Sequence, residues 1–357
     1  MKLFSSMKER MSSLFTRDRY QTEWDEPTGF SRLGRIIMSA FALYVSIVIV
    51  LGIIWSFEPD PFSIRQNMED KLALSRSDYV VGAATTSTLI GVAETLLDKS
   101  GGYLSNDIMP PGLYLDNIPN WEFGALQQVR DFARAFRELF SRSQSQSVED
   151  PDLSEGEPLF YFDNSSWIFP PTESEYRRAT DYFYSYLGRI ADPQDTNAQF
   201  FARADNLSNW LATVELRLGS LSQRLSASVG QERVNTDTAG DQSAAQSTPV
   251  QGETRVKTPR LEVDDVFYEA RGATWALMQF LRAVEVDFAD VLEDKNASAS
   301  VRQIIRDLEY SQRAVFFPII LNGSGFGTFA NHSLTMANYV SRANAAIIDL
   351  RSLLAQG

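Results

Sequence analysis

The residues best suited to chemistry lie in one stretch, GGYLSNDIMPPGLYLDNIPNWEFG, from Gly101 to Gly124. Asp107, Asp116 and Glu122 bring carboxylates close in sequence to the indole of Trp121, with Tyr103, Asn106, Tyr114, Asn117 and Asn120 among them. Two carboxylates beside an aromatic platform are what a glycan-cleaving site needs, one as acid and one as base or nucleophile. This makes Asp107, Asp116 and Glu122 the candidate catalytic groups. Tyr103, Asn106, Tyr114, Asn117, Asn120 and Trp121 are the candidate partner- or ligand-binding groups. The same residue types also have a plain structural use. Asn and Asp cap turns and helices, so Asn120 is expected as the N-cap of a helix beginning near Glu122, with Trp121 anchoring the loop.

Other chemistries are poorly supplied. Cysteine is absent and His332 is the one histidine. Thiolate catalysis and multi-histidine metal sites are therefore excluded. A serine triad would have to use His332, and no G-x-S-x-G elbow surrounds any serine. At a helix start beside Asn331, His332 reads as a local cap or surface residue. Beyond the apolar segment described next, the lysines are Lys71, Lys99, Lys257 and Lys295, and none closes an S-x-x-K motif. The GSGFG run from Gly323 lacks the G-K-[ST] of a phosphate loop and reads as a turn. No cofactor and no metal is expected.

The elements that must position this stretch begin with an apolar segment. Ile36 to Trp55, IIMSAFALYVSIVIVLGIIW, has no charge and reaches the length of about 20 residues that a bilayer-crossing helix needs. Lys2, Lys8, Arg10, Arg17, Arg19, Arg32 and Arg35 precede it, whereas Glu58 and Asp60 follow it. The excess of Lys and Arg keeps the preceding side in the cytoplasm. No A-x-A-like cleavage site follows, so an uncleaved anchor is expected rather than a secretory signal. The expected organisation is a basic cytoplasmic tail over 1–35, an anchor over 36–55 and an exported helical domain over 56–357. Within the tail, Leu3, Phe4, Met7, Met11, Leu14 and Phe15 have the spacing of a short amphipathic helix. The chain carries a net charge of −13, which argues against nucleic-acid binding.

The exported part reads as helices. A helical pattern from Val80 to Lys99 stops at Gly101-Gly102. A helix resumes from Glu122 to Leu139, and the polar stretch Ser141–Pro158 reads as a surface loop. Thr172–Glu175, T-E-S-E, reads as a capping box. Two long helices with four-three apolar spacing follow, one from Phe200 to Leu225 and one from Val263 to Val291. A polar insert over 230–258 separates them and is expected to be disordered. The simplest arrangement is a long antiparallel hairpin whose seams resemble a coiled coil. A last helix carries Met336, Val340, Ala343, Ile347, Leu350 and Leu354. The expected fold class is all-α: one N-terminal transmembrane helix, then a periplasmic helical bundle with long antiparallel helices.

The run LLDKSGGYLSNDIMPPGLYLDNIPNWEFG (Leu96–Gly124), with RDFARAFR (Arg130–Arg137), SRSQSQSVEDPDL (Ser141–Leu153) and SSWIFPPTESEY (Ser165–Tyr176), resembles a bacterial family known as domain of unknown function 2333. The resemblance extends over nearly the whole chain. It implies a proteobacterial inner-membrane protein facing the periplasm, and it implies no activity. The expected role is a non-enzymatic envelope scaffold or interaction protein. Its partners would be the membrane and another envelope protein or a second copy of itself. The alternative is a peptidoglycan-binding or carboxylate-dependent glycan-cleaving protein.

Overall fold

The computed structural model describes residues 32–75, 79–144, 147–195, 197–234, 253–315, 320–324 and 327–356. The expected amphipathic tail helix and residues 235–252 of the expected disordered insert lie outside them. The described chain is helical apart from one short ribbon. Its order is α1 (Arg32–Trp55), α2 (Ile64–Ser75), α3 (Ala83–Asp98), α4 (Asn117–Ala135, prolonged by a π turn to Phe140), α5 (Pro151–Leu159), α6 (Thr172–Ile190), α7 (Ala204–Ser226), β1 (Gln231–Val234), β2 (Glu253–Val256), α8 (Val263–Asp287), α9 (Ala289–Asp294), α10 (Ser298–Ser311) and α11 (His332–Ala355).

The chain divides into two units between Ile47 and Val48. The first holds the start of α1, where the Ser46 hydroxyl donates to the Ala42 carbonyl at 2.8 Å. That bond satisfies the hydroxyl within the helix. No residue of α1 is buried, and the helix is long and apolar enough to cross a membrane.

The second unit is organised around α4 and α8. Trp121 meets Trp275 with ring centroids 5.1 Å apart, Phe132 stacks on Phe280 at 4.3 Å and Phe140 meets Phe288 at 5.6 Å. Numbers rise together along both helices, so α4 and α8 run in the same direction. Their backbones touch through glycines. A Cβ on Gly272 would lie 1.8 Å from the Trp121 carbonyl oxygen, and one on Gly124 would lie 1.9 Å from that of Glu269. The four-three seams expected on α7 and α8 are buried, but not chiefly on each other. The seam of α8 faces α4, and α7 packs along α11, where Arg351 reaches the Ser208 carbonyl at 3.2 Å. Aromatic side chains too wide for a narrow two-helix seam, Phe132 and Phe280 above all, explain why α8 takes α4 as its partner.

Several boundaries differ from expectation. β1 and β2 pair antiparallel, Gln231 opposite Val256 and Val234 opposite Glu253, so both ends of the expected disordered insert are ordered. The helix expected from Glu122 starts five residues earlier. Asp116, not Asn120, caps it by accepting from the Asn117 amide at 2.9 Å. Pro119 is tolerated because first-turn amides need no helical acceptor. Asp150 caps α5 within the stretch expected to be a loop, accepting from Asp152 and Leu153 amides with Pro151 at the first position. Thr172 caps nothing. It is the first residue of α6, and its hydroxyl donates to the Asp163 and Ser166 carbonyls.

The glycine contacts give a test. Gly272→Ala should lower the thermal unfolding midpoint of the detergent-solubilised chain, at a cost of about 1–3 kcal/mol, because backbone must move to admit the methyl. Gly188→Ala, with nothing within 4 Å, should gain about 0.5–1 kcal/mol from helix propensity. Circular dichroism melts of both variants check the contrast.

Candidate interaction site at the head of the bundle

The stretch from Gly101 to Asp116 leaves α3, crosses the head of the bundle and enters α4. It is turned by Gly101 and Gly102, at φ 90° and 74°, which is left-handed backbone that favours glycine. Gly101 has a second constraint. A Cβ there would lie 2.7 Å from the Trp55 ring, so the last turn of α1 rests on this corner.

Glu122 holds the stretch down. Its side chain is fully buried, and it forms an ion pair with the similarly buried Lys99. One carboxylate oxygen accepts from the Leu104 amide at 2.8 Å and from Lys99. The other accepts from the Ser105 amide at 2.8 Å and from the Ser105 hydroxyl. A carboxylate offers about four lone-pair sites, and four donors fill them. Burial pushes the Glu122 carboxyl above its ordinary range, and Lys99 with the Ser105 and Leu104 donors pulls the other way. Lys99 also donates to the Gly102 carbonyl, so it closes the turn that the glycines begin.

The other candidates divide into interior and rim. Trp121 is buried against Trp275, and Tyr103 is buried edge-on to Tyr176 at 5.7 Å. Burial raises the Tyr103 phenol. Neither ring is a solvent-facing platform of the kind the glycan-cleaving alternative needs; Trp121 anchors the stretch from the first turns of α4, and Tyr103 packs inward from the loop. Asn106 is buried too. Its amide donates to the Ser166 carbonyl at 2.9 Å and to Glu173 Oε2 at 2.8 Å, which ties this loop to the one before α6. Asn117 is half-buried. Asn120 donates to the Asp116 carbonyl at 3.0 Å and to Asp265 Oδ1 at 2.8 Å. At the rim, Asp116 is exposed at its capping position and Tyr114 is 74% exposed. Asp107 is partly buried. Burial and the neighbouring Glu173 raise its carboxyl, and Lys99 lowers it. Asp107, Asp116 and Glu122 thus sit in separate surroundings: one beside Glu173, one at a helix cap, one sealed by donors.

Several residues of this region were not singled out from sequence. Lys99 reads as a helix-end charge, and its partner lies far along the chain. Asp265 starts α8 in an acidic corner. Burial, then Asp264, Asp116 and Glu262, push its carboxyl up to about 6. Arg271, on α8, is buried and holds Glu58 just beyond α1, with Nε to Oε1 at 2.6 Å and a second, parallel bond. It also donates to the Ser311 and Arg313 carbonyls at the end of α10. Gln279 donates to the Phe62 carbonyl at 3.1 Å, and the Phe62 ring meets Trp275 at 6.1 Å. The segment after α1 is therefore clamped to α8, beside a cleft of about 550 Å³ lined by Phe57, Tyr268 and Arg271.

His332 is the first residue of α11, after the capping Asn331. Its Nδ1 accepts from the Leu321 amide at 3.2 Å, and burial lowers its pKa. Nearby, the Gly323 amide donates to the Ala330 carbonyl at 3.0 Å, and Gly325 and Phe326 of the expected turn lie outside the described residues. Among the described residues no group of three His, Cys, Asp or Glu could hold a metal ion.

A family model described as "uncharacterized protein conserved in bacteria (DUF2333)" matches residues 31–357. No curated protein and no solved structure matches the chain.

Two outcomes follow from the geometry. Glu122→Gln leaves Lys99 buried without an anion and should cost about 3–5 kcal/mol. Adding Lys99→Met to that variant should cost little more, because both changes remove one shared interaction. Denaturant titration of the four chains measures the coupling. Asp265 titrates with its folded value raised from about 3.8 to about 6. The folded state therefore binds the proton more tightly, so this group's contribution is present below 3.8 and is lost as pH rises through 6. Asp265→Asn should flatten the fall in melting temperature between about pH 4 and about pH 7 relative to the parent chain.

Proposed function

We propose, from the premise that the chain belongs to the DUF2333 family of bacterial proteins, that it is a single-pass inner-membrane protein whose helical body acts in the periplasm as a non-enzymatic scaffold. In this reading α1 is an uncleaved anchor with its amino-terminal side in the cytoplasm. The excess of Lys and Arg before it supports that orientation. The body presents its helical surface to another envelope protein or to a second copy. The observation that carries the reading is the clamp between the end of α1 and the body: Glu58 on Arg271, Phe62 on Trp275 and Trp55 on Gly101. A body tied this tightly to an apolar helix is built to be held at a membrane face. The filled coordination of Glu122 and the burial of Trp121 support an architectural use of the stretch over glycan cleavage.

Because the chain has no cysteine, single cysteines report topology directly. Val148→Cys should react with a membrane-impermeant maleimide in spheroplasts, and Ser5→Cys should react only after lysis. The opposite pattern overturns the orientation, and soluble release of the body overturns the anchor. In-cell crosslinking through Val148→Cys should recover a stoichiometric protein partner. Turnover of peptidoglycan by the purified full chain, lost in Asp107→Asn, would overturn the scaffold reading.

A further inference from the structure

Two loops carry large apolar side chains at the surface, and the first of them stands beside the end of α1. Met109, Leu113 and Tyr114 stand on the first, 69%, 54% and 74% exposed. Trp167, Ile168 and Phe169 stand on the second, with Phe169 90% exposed. Neither IMPPGLYL (Ile108–Leu115) nor SSWIFPP (Ser165–Pro171) contains a charge. The Asn106 amide, donating to the Ser166 carbonyl, joins the two loops into one surface. Exposed apolar clusters of this kind in a folded body mark a contact surface rather than scatter.

The position of the first loop identifies what it contacts. A Cβ on Gly52 would lie 3.5 Å from Pro111 Cβ, so the loop tip stands level with Gly52. That is three residues before the end of α1, or about 4.5 Å back along it at the helical rise. The tip therefore overlaps in height with the apolar segment itself. Its backbone is prepared for a dry environment. The Leu113 amide donates to the Met109 carbonyl at 3.1 Å, Tyr114 to Pro111 at 2.9 Å and Leu115 to Gly112 at 2.9 Å. In the second loop the Ser166 hydroxyl donates to the Pro170 carbonyl at 2.9 Å. Trp and Tyr are the side chains that settle at the boundary of headgroups and acyl chains.

We propose that these two loops insert into the outer interfacial layer of the same bilayer that α1 crosses, and so seat the body on the membrane at a second point. This rests on the reading of α1 as a membrane-crossing anchor. The contact is apolar, not electrostatic. The charges that flank the loops, Asp107, Asp116, Asp163 and Glu173, are all acidic. Zwitterionic lipid should suffice, added salt should leave the contact unchanged, and anionic lipid should weaken it.

The test uses the full chain in phosphatidylcholine vesicles with one cysteine at a time, each labelled with an environment-sensitive fluorophore. Met109→Cys and Phe169→Cys probe the loops. Val148→Cys, 93% exposed, probes a site away from them, and Ala42→Cys probes α1. The expected result is quenching of positions 109 and 169 by nitroxide-labelled lipid, with several-fold protection from aqueous iodide relative to position 148. Iodide quenching at 109 and 169 equal to that at 148, with position 42 quenched by lipid, overturns the loop insertion alone. Protection from iodide without quenching by lipid means that a second copy covers the loops, and it overturns the lipid assignment. A position 42 that nitroxide lipid does not reach overturns the anchor reading beneath the proposal.

Discussion

A carboxylate in a protein interior must have its charge and its lone pairs met, or it does not stay there. Glu122 meets that demand from three directions. Lys99 comes from the end of α3, the Leu104 and Ser105 amides come from the loop, and the carboxylate itself is fixed by α4. One side chain thereby sets the distance between two helices and the path of the chain joining them. The corner at Gly101, the pairing of Asn106 with the loop before α6 and the placement of the exposed tip all follow from that path. The ion pair is unusual in joining elements whose separation a hydrophobic contact alone would leave adjustable. Packing tolerates small shifts, whereas four filled hydrogen-bond directions do not.

The second constraint is the contact of α4 with α8. Two helices running the same way with bulky aromatic seams would ordinarily stand apart. Gly124 and Gly272 remove the side chains at the point of closest approach, and the indoles of Trp121 and Trp275 fill the space beside it. Because α8 also carries Arg271 and Gln279, the helix that packs on the loop's helix also grips the segment after α1. The head of the bundle and the joint with α1 are consequently one mechanical piece.

Much of the helical content was legible in the sequence because apolar periodicity is local. The seams on α7, α8 and α11 are read correctly from spacing alone, and so is the stop at Gly101-Gly102. What periodicity does not specify is which seam meets which. The hairpin expected from chain adjacency of α7 and α8 gives way to pairings with α11 and α4, chosen by side-chain volume and by glycines whose role depends on a backbone elsewhere in the chain. Cap positions were missed where turn-forming content, or a polar run without apolar period, read as loop. Pro119 and Pro151 suggest loop, yet both occupy first turns where a missing amide costs nothing. The site was half legible. Glu122 and Trp121 stand out by type, but nothing local reveals that both face inward, since that depends on α4 starting at Asn117. Glu58 with Arg271, and Glu122 with Lys99, are invisible to any pattern because each pair joins separate elements.

The charge balance bears on the proposed seat of the body beside a membrane. Its excess is acidic, and carboxylates flank both exposed loops, so headgroup attraction cannot hold it. The proposed contact is therefore apolar, and it acts with little regard to salt. A tether alone would leave the body free to tumble about its joint. The segment just after α1, however, is held by a buried Arg271–Glu58 pair, which cannot part without leaving a buried charge unpaired. Rigid attachment and an uncharged apolar rim are two features that make sense together. In the proposed seat, the six uncovered hydrophobic side chains of these loops meet the interfacial layer, with the tip of the first loop level with Gly52.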